Sequence, residues 1–464
     1  MSRSIFLLLF LAAPVMPAHA ALLSETRSLH LGPVPDGSSP YLYVPFDMPV
    51  GAVELTVRLD YDRADGDNAI DFAIFDSTFS GRDDDLTGYR GKNPNRAPLV
   101  SVIGRTRASD GHLPGPLPPG VWRVMFYVYK TRATGVDVTL RLSIASEEGK
   151  PEAGGEPRWL RGDLHTHTLH SDGSWTVSSL AAAAQKAGLD FVAITDHNVA
   201  SHHYEIDALP AGGPLVLKGI EVTTYGGHMN AWGVPTGRMI EHRQLPGDDR
   251  AIQRAVSQAH DMGARISINH PFIDCKACGW AFDKQAESFD GIEVWDGSWG
   301  PEDQRALDWW EQLIRSGRRI AAIGSSDSHG PETRVGSPTL YLYSRRDLAG
   351  LMEAIGAGRA VITASPGIRL DVEASADGGR AIPGEELGLA KDSFAHLTVT
   401  LQNAPPGEAI LYTANGPMRR WPLTGSSFRQ EITISPTSPF VRIEARDASG
   451  RMTALSNPIW LSGR

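Results

Sequence analysis

Residues 161–173, RGDLHTHTLHSDG, constrain the chain more than any other stretch, placing three histidines and two aspartates within eleven residues. His165 and His167 are two apart. On an extended backbone, residues i and i+2 share a face, so both imidazoles point the same way. The run from Arg158 to Leu164 reads as a short strand, and a helix-like pattern begins at Thr176. The pair therefore sits where a strand runs out into a loop. Two neutral imidazoles aimed at one point suit Zn, Mn or Fe. A His-x-His on a surface strand can also be merely solvated, and the rest of the chain decides between the two.

After a polar stretch at 147–157 (EEGKPEAGGEP), apolar runs alternate with helical ones, as in α/β architecture. Strands are expected at Trp159–Leu164, Phe191–Thr195, Leu215–Val222, Asn230–Val234, Arg265–Asn269, Gly291–Trp295 and Ile320–Ser325. Helices are expected at Val177–Ala187, Asp249–Met262 and Pro301–Arg315. Metal-ligand residues recur near one end of strand after strand. His165, His167 and Asp172 follow the first, Asp196 and His197 the second, and Glu221 ends the third. His228 just precedes the fourth, His270 follows the fifth, Asp296 the sixth, and Asp327 and His329 the seventh. In a barrel all strand ends of one polarity converge on one mouth, which scattered solvated residues would not respect.

Read in order, His-x-His, Ser-Asp-Gly, Thr-Asp-His, Gly-x-Glu, Asn-His-Pro and Ser-Asp-x-His resemble the polymerase-and-histidinol-phosphatase (PHP) family of metal-dependent hydrolases. The leader and the β-rich region before the motifs look most like the exported branch named after carbaryl esterase (CehA/McbA-like). The resemblance covers about Trp159 to Pro366. It implies a distorted (β/α)7 TIM-like barrel with two to three divalent ions of Mn, Zn or Fe. By the family pattern His165, His167, Glu221 and Asp327 hold one ion. Glu221 bridges to a second, held also by His228 and His270, and Asp172, His197 and His329 hold a third. Asp172 stands where many relatives have histidine. Asp196 is expected to orient a ligand rather than to be one.

Such a site needs no serine or cysteine nucleophile. Two ions bridged by a carboxylate sit roughly 3.5–4 Å apart, and a water between them ionises to a bridging hydroxide near neutral pH. The sequence holds neither a G-x-S-x-G elbow nor a G-x-x-x-x-G-K-[ST] phosphate loop. The catalytic candidates are Glu221, Asp327 and His329, with Arg334 as an anion contact. The expected substrate is a small-molecule ester: a phosphomonoester or phosphodiester, with carboxyl or carbamate esters as the alternative. A non-catalytic exported binding protein and a metal buffer are the competing classes. Arg161, Lys218 and Lys276 are further cations near the motifs, and Trp280 and Trp299 are candidate pocket walls. His170, His202, His203, His242 and His260 fall outside the pattern.

The flanks read differently. Residues 1–20 carry one charge, Arg3, then an apolar run ending Ala18-His19-Ala20, the pattern of a cleaved signal peptide. The expected location is periplasmic or extracellular. Residues 21–148 and 367–464 read as β-sandwich accessory domains around a linker at 149–157 and a barrel at 158–366. Net charge is −10 with no basic block, so nucleic acid is not an expected partner, and no stretch suits membrane insertion. Cys275 and Cys278 are the only cysteines, too few for a zinc site built from four thiolates. Of a redox pair, half a zinc site and a local disulfide, an exported chain favours the disulfide.

Overall fold

A computed structural model describes residues 20–33, 39, 41–49, 51–79, 86–93, 98–105, 107–147, 155–210, 212–275, 278–282, 288–390, 393–435 and 437–463. The expected leader, apart from Ala20, and residues 149–154 of the expected linker lie outside the described residues, as does Lys276. The chain divides into two compact units, Met1–Pro151 and Glu152–Arg464.

The first unit holds β1 (Ala20–Leu31), β2 (Tyr41–Met48), β3 (Ala52–Tyr61), β4 (Ala69–Phe75), β5 (Tyr89–Lys92), β6 (Val100–Gly104), β7 (Gly120–Lys130) and β8 (Val136–Glu147). They form two antiparallel sheets, ordered β1-β8-β3-β6 and β2-β7-β4-β5. Period-two alternation explains the layering. Val138, Leu140, Leu142 and Ile144 of β8 face the same apolar core as Trp122, Val124, Phe126 and Val128 of β7. The buried Trp122 keeps its indole N–H paired by donating to Pro118 O at 2.8 Å.

The second unit mixes strands and helices and is mostly sheet. In order come β9 (Arg158–Asp163), α1 (Val177–Lys186), β10 (Phe191–Ile194), α2 (His202–Asp207), β11 (Leu215–Thr224), β12 (Gly227–Trp232) and α3 (Asp249–Asp261). Then follow β13 (Arg265–Ile268), β14 (Gly291–Asp296), α4 (Pro301–Arg315), β15 (Ala321–Ser325), β16 (Thr339–Ser344), α5 (Leu348–Ala357) and β17 (Ala360–Thr363). The helix ends carry local signals. Thr176 and Asp248 accept from the amides of Ser179 and Ala251, Pro301 sits in the first turn of α4, and Gly358 ends α5 at φ 66°.

The sheet order β15-β14-β13-β12-β11-β10-β9-β16-β17 sets the ends of β9–β11 and β13–β15 beside one another. Past the strand ends, a parallel bridge joins Thr166 to Ser328, and His167 N–H donates to Ser328 O at 2.9 Å. That contact brings the end of β15 back to the end of β9. Gly173 lets the intervening loop close, since a Cβ there would lie 2.4 Å from His167 O.

The expected regular alternation does not hold. β12 runs antiparallel to both β11 and β13, because only Tyr225 and Gly226 separate β11 from β12. A parallel crossover needs a dozen or more residues, so a two-residue link can only make a hairpin. In consequence His228 lies within β12 rather than before it. Among the described residues no helix separates β13 from β14 either, and α2 is a helix the pattern did not suggest. The sheet also runs on past residue 366. β17 pairs with Met452–Ser456, which pairs with Phe440–Asp447. No described helix is long and apolar enough to cross a membrane. Cys275 and Cys278 are joined in a disulfide.

Candidate metal centre

Glu221 sits at the middle of the site, on β11 and fully buried. Its Oε2 lies 3.2 Å from His165 Nε2, 3.3 Å from His167 Nε2 and 3.0 Å from His197 Nδ1. Its Oε1 lies 3.2 Å from both His228 Nδ1 and His270 Nε2. One carboxylate therefore faces imidazoles with both oxygens. Asp327 approaches from the end of β15, its Oδ1 3.2 Å from His165 Nε2 and 3.0 Å from His167 Nε2. Asp172 is more exposed. Its oxygens lie 3.6 Å from His197 Nε2 and 3.4 Å from His329 Nε2.

The nine expected ligands thus gather into overlapping sets. His165, His167 and Asp327 form one, His197, Glu221 and His228 another, and His167, Asp172, His197 and His329 a third. Within each set the ligand atoms lie within 4.8 Å of one another. His270 reaches the same centre through Glu221. The donor chemistry fits a divalent ion. His165 Nε2, both ring nitrogens of His167, Glu221 Oε2 and Asp327 Oδ1 are buried and have no hydrogen-bond partner outside this group. Buried polar atoms are normally satisfied, and these converge.

Charge follows the geometry. Burial by itself would raise the Glu221 carboxyl, yet the charge and hydrogen bond of His165, with bonds from His167 and His228, hold it well below the usual carboxylate range. Burial would push His167 and His270 down. Hydrogen bonds to Asp327 and Glu221 hold His167 up at about 9, and Glu221 does the same for His270, also at about 9. Two of the expected ligands also carry backbone strain. His270 and Asp327 adopt φ of 22° and 47°, a region that costs a non-glycine residue about 1–3 kcal/mol and persists where surrounding structure enforces it.

Three supporting residues escaped the sequence reading. Glu293, buried in the middle of β14, accepts from His165 Nδ1 at 3.0 Å and from His270 N–H at 2.9 Å. Its signal was a lone carboxylate inside the apolar run Gly291–Trp295. Asp163 accepts from Ser326 N–H and Gly336 N–H, tying the end of β9 to the loop after β15. Asn269 donates to Glu221 Oε1 at 2.9 Å. Asp196 accepts from Thr168 N–H and Ser171 Oγ, so it braces the loop between His167 and Asp172.

Other expectations fall elsewhere. His202 and His203 both place Nε2 3.0 Å from Gly219 O, His170 pairs with Ser201 and Glu205, and His260 with Asp290. Arg334 is exposed. Lys218 pairs with Asp207, and Arg161 lies 4.0 Å from Asp190. Trp299 packs edge-on against the buried Trp295.

Residues 163–247 match the PHP domain family. The PHP match takes in His165, His167, Asp172, His197, Glu221 and His228. His270, Asp327 and His329 lie beyond it and join the site through the fold. Among solved structures, the chain is similar to a two-domain Bacteroides vulgatus protein containing a predicted PHP-like metal-dependent phosphoesterase. That similarity is 17% identity over 65% of this chain and 96% of the other, with a TM-score of 0.39. It is also similar to an amidohydrolase from Chromobacterium violaceum, at 19% identity over 38% of this chain and 89% of the other, with a TM-score of 0.29. No curated protein matches the chain.

Proposed function

We propose that the chain is an exported metal-dependent hydrolase that cleaves phosphoesters on a distorted seven-stranded PHP-type barrel, preceded and followed in sequence by β-sandwiches. The observation that carries this reading is Glu221, whose two oxygens face two separate groups of imidazoles. His165, His167, Glu221 and Asp327 would hold one divalent ion, Glu221, His228 and His270 a second, and Asp172, His197 and His329 a third. When bound, such ions make water a nucleophile near neutral pH and neutralise negative charge on the attacked group.

The chain's own residues do the rest. Glu293 and Asn269 fix His165 and Glu221 in register. His329 places Nδ1 2.8 Å from Asp327 O and Nε2 3.4 Å from Asp172 Oδ1, so Nε2 is the atom that would meet the third ion. Ala18-His19-Ala20 after an apolar run supports export to the periplasm or the extracellular space.

Carboxyl or carbamate esters are the second reading. One observation favours it: Lys218 and Arg161 are drawn to Asp207 and Asp190, away from any role as a phosphate clamp. The test is metal content of the purified protein, then hydrolysis of p-nitrophenyl phosphate, bis(p-nitrophenyl) phosphate and p-nitrophenyl acetate with and without chelator. Two to three ions per chain and chelator-sensitive cleavage of a phosphate ester support the proposal. Cleavage of the acetate alone moves the enzyme to the second reading. No bound metal after reconstitution with Mn, Zn and Fe overturns both.

A further inference from the structure

His197 stands between two of the ligand groups, one with Glu221 and His228, the other with His167, Asp172 and His329. Its Nδ1 lies 3.0 Å from Glu221 Oε2, and its Nε2 lies 3.6 Å from Asp172 Oδ2. A neutral imidazole offers a lone pair from one ring nitrogen only. The place of its proton therefore decides which group the ring joins.

Thr223 supplies the deciding contact. Its Oγ1 lies 2.5 Å from His197 Nδ1, and its hydroxyl donates to Glu221 O at 3.3 Å. A hydroxyl has a single proton to give. With that proton turned to the carbonyl, Oγ1 meets Nδ1 as an acceptor. Glu221 Oε2 is a second acceptor on the same nitrogen. Nδ1 then carries the hydrogen, and the lone pair sits on Nε2.

The frame around this contact is built on main chain. Asn198 Oδ1 accepts from Thr223 N–H, and Asn198 Nδ2 donates to Thr223 O, both at 2.9 Å. Asn198 N–H donates to Glu221 O at 3.0 Å. Asn198 sits at φ 51°, a left-handed conformation that asparagine tolerates better than most residues. The residue after His197 is thus fastened to both backbone groups of Thr223, and the hydroxyl is held against the ring.

We propose that Thr223 is the positioning residue of His197. Its hydroxyl takes the Nδ1 hydrogen and leaves Nε2 aimed at Asp172 and His329, so His197 serves the third ion and not the Glu221 bridge. This rests on the hydrolase reading above and deepens it. The same contact spares Glu221 Oε2, which also faces His165 and His167, from being the sole acceptor for that hydrogen.

The test uses two variants. Thr223→Val keeps the β-branched shape and both main-chain bonds to Asn198, and removes only the hydroxyl. Thr223→Ser keeps the hydroxyl. The first readout is nuclear magnetic resonance of histidine-labelled, metal-free protein at about pH 8, above the usual histidine range. The His197 signal is assigned by its loss in His197→Gln. Wild type and Thr223→Ser should carry the hydrogen on Nδ1, and in Thr223→Val the Nδ1–H resonance should move upfield or vanish. A wild-type hydrogen on Nε2, or an unchanged resonance in Thr223→Val, would overturn the proposal. The second readout is metal affinity in competition with a chelator. Thr223→Val should hold one ion about 10–100-fold more weakly and the others as before, and Thr223→Ser should match the wild type. No loss in Thr223→Val, an equal loss at every ion, or a loss in Thr223→Ser as large as in Thr223→Val overturns the assignment. If the wild type takes up no metal while its Nδ1 hydrogen responds to Thr223→Val, the hold on the ring is supported and the hydrolase reading falls.

Discussion

Glu293 Oε1 sits 3.0 Å from His165 Nδ1, on the ring edge opposite the one that faces Glu221. The contact fixes the tautomer: with the proton on Nδ1, the Nε2 lone pair points into the centre. Glu293→Gln should therefore lower metal affinity by about 10–100-fold while the fold persists. Competition with a chelator measures this, and wild-type affinity in the variant would remove Glu293 from the site.

Glu221→Ala should have the larger effect. It removes both oxygens around which His165, His167, His197, His228 and His270 are gathered. Metal stoichiometry should fall and turnover should drop to the chelated background, with far-ultraviolet circular dichroism preserved. Full turnover in this variant would sink the two-metal mechanism.

Proton release should accompany metal loading. In the metal-free chain His167 and His270 are held up at about 9, so both carry a proton at about pH 7.5. A ligand imidazole must be neutral, so metal displaces those protons, and apparent affinity should climb with pH until about 9. The linkage has a matching sign. A histidine raised on folding contributes stability that is complete below about pH 6.5, the unfolded value, and is lost as pH rises through about 9. Metal-free protein should show that loss in chemical denaturation, and metal-loaded protein should not. Calorimetry in buffers of different ionisation enthalpy counts the protons.

Arg442 ties α4 to the strand Phe440–Asp447. Only 2% exposed, it donates from Nε to Glu311 Oε2 and from a terminal nitrogen to Glu444 Oε1, both at 2.7 Å. Arg442→Met takes one of two guanidinium partners from the buried Glu444, leaving Arg446 on Oε2, and should cost about 1.5–3 kcal/mol. Adding Glu444→Leu should recover much of that. Urea denaturation of the single and double variants decides it, and an additive loss would contradict the pairing.

Local features were readable because they depend on neighbours in sequence. Helix α4 runs Pro301–Arg315 as its pattern predicts, and Asp248 caps α3 through the Ala251 amide. The direction of β12 was also available in principle, since Tyr225 and Gly226 leave no room for a crossover, but apolar spacing alone gives a strand and not its polarity. The partners of His165 were not available. Glu293 is 128 residues away, and nothing in the spacing of β14 says which ring its carboxylate will meet.

By itself the sequence determined which side chains could bind metal and that His165 and His167 would share a face. Both properties follow from residue chemistry and the two-residue period of an extended backbone. Only the tertiary structure decided that both Glu221 oxygens would face imidazoles and that Glu293 would lock His165. Those relationships join strand ends far apart in the chain, and they arise when β13–β15 are set beside β9–β12 in one sheet.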